Sequence, residues 1–178
     1  YIGDGAMNNG QVFEAFNLAA LWKLPVLYII ENNKYGMGTA VDRAAAGSHL
    51  YKRGEAFGIK GEMVDGMNVY SVIKAAEKAG NYVRSGKGPY ILEVQTYRYR
   101  GHSMSDPAKY RTKNELEEYK NSDPIEIVRE EILKKKIATK AEIDKLNKEI
   151  IEEIKLAAEF ALNSKFPTKE ELYTDVYI

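Results

Sequence analysis

Three features that this sequence lacks limit what it can do. None of its 178 residues is a cysteine, which excludes disulfides, thiolate catalysis and cysteine metal sites and agrees with a reducing compartment. The 26 basic and 26 acidic residues cancel, so no net charge directs the chain to nucleic acid or an anionic membrane surface. The longest apolar run, Pro25 to Ile30, is far shorter than the roughly 20 residues of a membrane span. We therefore expect neither nucleic acid nor a membrane among its partners.

The first 33 residues contain the most informative pattern. An amphipathic segment from Asn9 to Lys23, with Asn8 or Asn9 as its cap, precedes the apolar run, which predicts a helix followed by a buried strand. If Tyr1-Ile2 ends an earlier strand, these elements form a βαβ unit. Asp4 and Asn33 then lie at the carboxyl edge of one parallel sheet, where open α/β sheets bind ligands.

The following residues continue the alternation of strand and helix. Lys60 to Val64 and Tyr90 to Thr96 are predicted strands, and Asn68 is predicted to cap the helix between them. Ser48 is a predicted cap for a short helix through Phe57, whereas Lys34 to Gly47 has the composition of a loop. This order predicts an α/β fold with a doubly wound parallel sheet.

The composition changes to charged helix from Asn121 onward. Asp123-Pro124 predicts one helix start, and Thr139 with Glu142 forms the capping box of a longer, amphipathic helix. Nothing in this part suggests chemistry. We expect an α/β domain over residues 1–120 and a helical extension over residues 121–178.

The residues at the predicted sheet edge suit a divalent cation that holds a diphosphate. Magnesium prefers oxygen ligands in octahedral geometry, and Asp4, the Asn33 amide and a backbone carbonyl near Tyr35 are candidates. Gly3 and Gly5 let backbone amides approach an anion closely. The alternative is that Asp-Gly is a common turn and Asn-Asn-Lys an ordinary polar loop.

Longer motifs carry a family resemblance. Gly-Asp-Gly, then twenty-six residues, then Asn-Asn is similar to the thiamine diphosphate and magnesium motif. The chain resembles the alpha subunit of the pyruvate dehydrogenase first component, a thiamine diphosphate-dependent 2-oxo acid dehydrogenase. The matching stretches include Glu31-Asn32-Asn33-Lys34-Tyr35-Gly36 and Gly101-His102-Ser103-Met104-Ser105-Asp106-Pro107.

The resemblance implies roles for particular residues. Asp4 and Asn33 are the implied magnesium side-chain ligands, and the implied third ligand is the Tyr35 carbonyl. Gly5 and Ala6 are implied to contact the cofactor through their backbone. His102 is implied to be catalytic and to face the diphosphate and the active-site channel.

The resemblance also implies an assembly and a reaction. The thiamine diphosphate-binding fold would have further strands before Tyr1, so we expect an N-terminal part to be missing. The implied partners are a beta subunit, in an alpha2-beta2 heterotetramer that shares the site, and a lipoyl-bearing acetyltransferase. The implied reaction is oxidative decarboxylation of pyruvate, with transfer of the acetyl group to the lipoyl carrier.

Two alternatives to this function remain open. Branched-chain 2-oxo acid or acetoin dehydrogenases have similar alpha subunits, although the branched-chain counterparts of the His102 motif differ. A non-catalytic phosphate- or nucleotide-binding regulatory module belongs to another class, but the Rossmann glycine fingerprint is absent.

The serines of the chain bear on localisation. Mitochondrial members of the family carry three serines that are kinase targets, and Ser103 matches the first of them. Ala40 occupies one of the other two positions, and the segment before Tyr110 lacks the third serine. We therefore expect a bacterial cytoplasm rather than a mitochondrial matrix.

Overall fold

The computed structural model describes residues 1–47 and 49–176. The chain divides into two compact units, Tyr1–Ile127 and the residues from Val128 onward. Whether a functional domain ends at residue 120 stays a prediction. The predicted cap Ser48 lies outside the described residues.

A parallel sheet forms the framework of the first unit. Its four strands lie in the order β1-β2-β6-β5, and every neighbouring pair is parallel. A separate antiparallel hairpin pairs β3 with β4. The strands are β1 Ile2–Gly3, β2 Leu27–Asn32, β3 Tyr35–Gly36, β4 Thr39–Ala40, β5 Lys60–Asp65 and β6 Tyr90–Gln95.

Helices connect these strands and follow them along the chain. The α-helices are α1 Gly10–Leu21, α2 Val41–Ala44, α3 Val69–Arg84, α4 Lys113–Lys120, α5 Pro124–Lys134 and α6 Lys140–Asn163. The 3-10 turns are Ala6–Asn8, Leu50–Phe57 and Glu170–Tyr173. Two predicted caps are confirmed: of the alternatives Asn8 and Asn9, Asn9 caps α1 by accepting from the Gln11 amide, and Asn68 accepts from two amides of α3.

The sheet is covered on both faces. On one face, Ile91 of β6 packs with Phe16 of α1 and Leu50. The neighbouring residue, Tyr90, packs with Val83 of α3. Because successive strand residues point to opposite faces, α1 and α3 lie on opposite sides of the sheet. This arrangement confirms the predicted α/β fold with a doubly wound parallel sheet.

The segment from Lys34 to Gly47 differs from its prediction as a loop. It contains the β3/β4 hairpin and α2. The hairpin turns at Met37, whose φ of 55° is left-handed, and at Gly38, where a Cβ would lie 3.1 Å from the Tyr110 ring. Strands of two residues are too short for an alternating pattern, so the sequence carries no signal of them.

The second unit contains α6 and its capping box, as predicted. The Thr139 amide donates to Glu142 at 2.7 Å, and the Glu142 amide donates to the Thr139 hydroxyl at 3.3 Å. Within this unit, Arg129 forms an ion pair with Asp144 at 3.2 Å. In residues 1–47 and 49–176, no helix has both the length and the apolar character that a membrane crossing requires.

Candidate functional site

The strand register brings the predicted site residues to one edge of the sheet. Gly3 pairs with Glu31, so Asp4 and Asn32 come next at the carboxyl ends of β1 and β2. Asn32 in turn pairs with Gln95 at the end of β6. The turn after β1 and the loop after β2 therefore leave the sheet side by side.

A close backbone contact joins that turn to the hairpin. A Cβ on Gly36 would lie 3.1 Å from the Gly5 Cα and 3.9 Å from Asp4 Oδ2. Either glycine therefore lacks room for a side chain unless the backbone moves. We call residues Asp4 to Ala6 and Asn33 to Gly36 the cradle, because the two segments meet around the Asp4 carboxylate.

Asp4 carries an incompletely compensated charge. Its side chain is only 3% exposed, and this burial raises the pKa of Asp4 above its ordinary value. The neighbouring backbone amides of Asp4 and Asn33 and the positive charges of Arg98 and Lys34 lower the pKa of Asp4, but by less than burial raises it. A cation beside Asp4 would supply the missing compensation.

The loop after β2 is held in an unusual conformation. Lys34 has a φ of 75°, and the side chains of Asn32 and Asn33 accept from the Lys34 and Tyr35 amides at 3.2 and 3.3 Å. The Tyr35 carbonyl accepts from Arg98 Nη1 at 3.1 Å. A carbonyl oxygen has two lone pairs, so one remains for another ligand.

The Tyr35 side chain connects this loop to α4. Its hydroxyl donates to Glu115 of α4 at 2.9 Å, and the Tyr97 hydroxyl donates to the same carboxylate at 3.0 Å. Burial, followed by the hydrogen bond and charge of Glu115, raises the pKa of Tyr35 to about 12. Tyr35 therefore stays neutral and bonded to α4 throughout the physiological range.

His102 lies in an exposed turn organised by Asp106. The His102 and Ala108 amides and the Tyr110 hydroxyl all donate to the Asp106 carboxylate, at 2.7, 2.8 and 2.8 Å. These hydrogen bonds, led by the one from His102, lower the pKa of Asp106 to about 2. A Cβ on Gly101 would collide with the Asp106 backbone, so this turn requires glycine.

The predicted site residues therefore fall into two groups. Asp4, Gly5, Asn33 and Tyr35 come together in the cradle, and Ala6 starts the adjoining Ala6–Asn8 turn. In the part of the chain that the structure describes, no hydrogen bond joins His102 to Asp4 or Asn33. The link is indirect: Arg98 contacts the Tyr35 carbonyl and the Tyr110 hydroxyl, and that hydroxyl donates to Asp106.

Comparison with known proteins supplies the family. Residues 1–170 match the family described as dehydrogenase E1 component. This chain belongs to the dehydrogenase E1 component family.

Several curated relatives support this assignment over nearly the whole chain, and each is named pyruvate dehydrogenase E1 component subunit alpha. The Rickettsia felis protein is 55% identical over 99% of this chain and 54% of its own length. The Rhizobium meliloti protein is 53% identical over 100% of this chain and 51% of its own length. A mitochondrial protein of Sminthopsis macroura is 51% identical over 98% of this chain and 48% of its own length. The chain thus spans about half the length of the curated relatives that it matches.

The cradle of this E1 family member offers the donor set of a hard cation. It combines one buried carboxylate, one amide oxygen and one backbone carbonyl, and magnesium takes such oxygen ligands together with water and phosphate. Within the described ranges, no three His, Cys, Asp or Glu side chains form a metal-binding group.

Sequence reasoning missed the residues that support the cradle. Glu93 is fully buried within β6, Glu115 binds two tyrosines, and Arg53 donates to the Met7 carbonyl at 2.6 Å. The position of Glu93 inside the apolar run of β6 was a signal, visible in the sequence, that this residue has a specific role. The partners of these side chains lie between 18 and 80 positions away, so no local pattern identified their roles.

Proposed function

We propose that this chain forms the thiamine diphosphate and magnesium site of a pyruvate dehydrogenase E1 alpha subunit. The observation that carries the proposal is the buried Asp4 carboxylate at the contact of Gly5 with Gly36. Burial raises the pKa of the Asp4 carboxyl, so a neighbouring cation would stabilise its charged form. The amide and carbonyl oxygens beside it complete a set of ligands that suits a divalent cation. The names of the relatives support this activity.

The proposed roles follow the chemistry of the donors. The side chains of Asp4 and Asn33 and the carbonyl of Tyr35 hold Mg²⁺, and the backbone of Gly5 and Ala6 faces the diphosphate. When bound, thiamine diphosphate supplies a nucleophilic carbon and an electron sink for decarboxylation. The protein binds and orients this group, and orientation is a large part of what such a scaffold contributes to rate.

His102 is the proposed catalytic residue of this chain. Its turn is fixed by Asp106 rather than by its own ring, and the ring is exposed on a segment rich in basic residues. A neutral imidazole has one donor and one acceptor nitrogen, so it can hydrogen-bond a diphosphate or a substrate carboxylate and pass a proton to it. Arg98 ties the His102 turn to the cradle through Tyr110 and the Tyr35 carbonyl.

The proposed reaction is oxidative decarboxylation of pyruvate with acetyl transfer to a lipoyl carrier. The proposed partners are a beta subunit, in an alpha2-beta2 heterotetramer, and the lipoyl-bearing acetyltransferase. Identities of 50–55% to bacterial proteins named for pyruvate support this substrate over branched-chain 2-oxo acids or acetoin. The lack of serine at two of the three kinase-target positions supports a bacterial cytoplasm, while the Sminthopsis macroura relative keeps a mitochondrial matrix as the alternative.

Calorimetry tests the proposal against a regulatory, nucleotide-binding module. The natural alpha chain containing these residues, assembled with its beta subunit, is titrated with thiamine diphosphate in the presence and absence of Mg²⁺. ATP and NAD serve as comparison ligands. We expect magnesium-dependent binding of thiamine diphosphate only; binding of a nucleotide without any binding of thiamine diphosphate would refute the proposal.

A further inference from the structure

A carboxylate with no place in the proposed chemistry lies at the centre of the first unit. Glu93 is 0% exposed in the middle of β6. Asn32 Nδ2 donates to its Oε1 at 2.7 Å, and the Tyr51 amide donates to its Oε2 at 3.0 Å. Burying a carboxylate is costly even when it is hydrogen-bonded, so a purely structural strand residue would more simply be apolar.

The first oxygen of Glu93 reaches one half of the cradle. Asn32, held by Glu93 through its amide nitrogen, uses its amide oxygen to accept from the Lys34 amide at 3.2 Å. This contact fixes Lys34 in its left-handed conformation, with a φ of 75°. The position of Lys34 determines where the Asn33 side chain and the Tyr35 carbonyl point.

The second oxygen reaches the other half through the Leu50–Phe57 turn. Tyr51 lies at the start of this turn, and Arg53 lies two residues further on. Arg53 Nη1 donates to the Met7 carbonyl at 2.6 Å, and Nη2 donates to Asn8 Oδ1 at 3.0 Å. Met7 and Asn8 belong to the Ala6–Asn8 turn, which continues directly from Asp4-Gly5.

We propose that Glu93 is a positioning residue that sets the spacing between the two halves of the cradle. One oxygen holds the segment that carries Asn33 and Tyr35, and the other holds the helical turn that braces Asp4 to Ala6. The inference rests on the proposed function, because the cradle matters only if it binds a metal and a diphosphate.

A reciprocal exchange of side chains separates this role from simple core stability. In Glu93→Gln, the new side chain has one acceptor oxygen and one donor nitrogen in place of two acceptors. Its nitrogen therefore faces a second donor, either Asn32 Nδ2 or the Tyr51 backbone amide. In Asn32→Asp, two carboxylates face each other. When both substitutions are combined, the new amide at position 93 donates to the new carboxylate at position 32 and accepts from the Tyr51 amide. That carboxylate still accepts from the Lys34 amide, so every hydrogen bond is restored and only the one between positions 32 and 93 has reversed polarity.

The protein for the experiment is the natural alpha chain assembled with its beta subunit. Calorimetry measures the affinity for thiamine diphosphate with Mg²⁺, and hydrogen exchange without cofactor follows residues 5–9 and 33–36. Leu92→Val is the matched control: this side chain is 1% exposed in β6 and points to the face of the sheet opposite to that of Glu93, so its truncation lowers stability without disturbing the Leu50–Phe57 turn. Thermal unfolding of every variant records the loss of stability separately.

The expected result is a double-mutant cycle with strong coupling. Each single exchange weakens cofactor affinity by about 10–100-fold, as the loss of supporting contacts around metal sites does, and speeds exchange in both segments. The double variant regains most of the affinity and the protection. Leu92→Val lowers the melting temperature and leaves affinity unchanged.

Two results would overturn the inference in distinguishable ways. If the wild-type protein fails to bind thiamine diphosphate with Mg²⁺, the proposed function falls, and the positioning role falls with it. If the wild type binds and Glu93→Gln binds equally well, or if affinity follows melting temperature alone across all variants, only the positioning role is refuted.

Discussion

Asp4 carries an electrostatic cost in the unliganded protein that a bound cation would relieve. Burial raises the pKa of its carboxyl despite two neighbouring backbone amides and two nearby positive charges. Asn33 contributes a neutral oxygen and Tyr35 a backbone oxygen, so Asp4 supplies the only formal negative charge of the proposed metal site. The two side-chain ligands should therefore differ in importance.

We expect Asp4→Ala to abolish magnesium-dependent cofactor binding and Asn33→Ala to weaken it on the order of tenfold, the scale of one lost contact to a charge. Titration calorimetry of the assembled alpha and beta subunits measures both. Asp42→Ala and Asn17→Ala, which remove exposed side chains of the same types, are the matched controls and should bind normally. Unchanged affinity in Asp4→Ala would contradict the metal assignment.

Asp106 gives a pH-dependent prediction for the His102 turn. Its pKa is lowered from 3.8 to about 2, so its hydrogen bonds stabilise the turn above the ordinary pKa and are lost as pH falls through the folded value. We expect the amide NMR signals of His102 and Ala108 to keep their positions between about pH 5 and about pH 3. In Asp106→Asn, they should be displaced at every pH. A wild-type titration midpoint near 3.8 would contradict the hydrogen-bonded turn.

Some contacts of the candidate site could be predicted from the sequence, and others could not. The spacing of Asp4 and Asn33 around one helix and one strand predicted their shared edge, because a parallel sheet turns such spacing into proximity. Glu93 and Asn32 are 61 positions apart, and nothing in either local segment identifies the other as its partner. Their hydrogen bond depends on β2 and β6 being neighbours, which the sequence does not state.

Among the elements, the β3/β4 hairpin has the greatest effect on the site. It brings the Gly36 backbone against Gly5, and this contact rather than any side chain closes the cradle. The long elements α1, α3, β2, β5 and β6 were predictable from periodicity and caps. The hairpin was not, since its strands have two residues each and depend on a left-handed Met37.

A glycine substitution tests the hairpin contact. In Gly36→Ala, the new methyl group lies 3.1 Å from the Gly5 Cα, so the two segments must separate by a few tenths of an ångström. Since misplacement by about 1 Å can cost about a hundredfold in a positioned site, we expect roughly a tenfold loss of cofactor affinity.

The matched control for this test is Gly10→Ala in α1, where a Cβ meets nothing within 4 Å. Calorimetry on both variants provides the comparison, with thermal unfolding to confirm that each is folded. Equal affinities in the two variants would show that the backbone contact does not shape the cradle.

At the scale of the whole molecule, the family could be recognised from the sequence because its motifs lie within two short segments. The fold class followed from the alternation of strand and helix. The assembly and the substrate could not be derived in the same way, because the groups that meet a substrate need not belong to this chain.

In the described ranges, the buried side chains with a carboxylate are Asp4 and Glu93. Asp4 is assigned to the metal, and both oxygens of Glu93 accept hydrogen bonds, from Asn32 and Tyr51. Activation of the cofactor needs a carboxylic acid beside its aminopyrimidine, and neither group is free for that role. The family resemblance implies that this acid comes from the beta subunit, and we propose the same for this chain.

It follows that these 178 residues, produced alone, should not decarboxylate pyruvate even when folded. Orientation against a catalytic group is worth roughly 7 to 11 kcal/mol of a barrier, so its loss should leave turnover undetectable. The measurement is carbon dioxide release from labelled pyruvate with thiamine diphosphate and Mg²⁺, for these residues alone, for the natural alpha chain, and for the alpha chain with its beta subunit. Only the last should be active, and the Asp4→Ala alpha chain mixed with the beta subunit is the inactive control. Turnover by these residues alone would place the missing acid on this chain and refute a site shared between subunits.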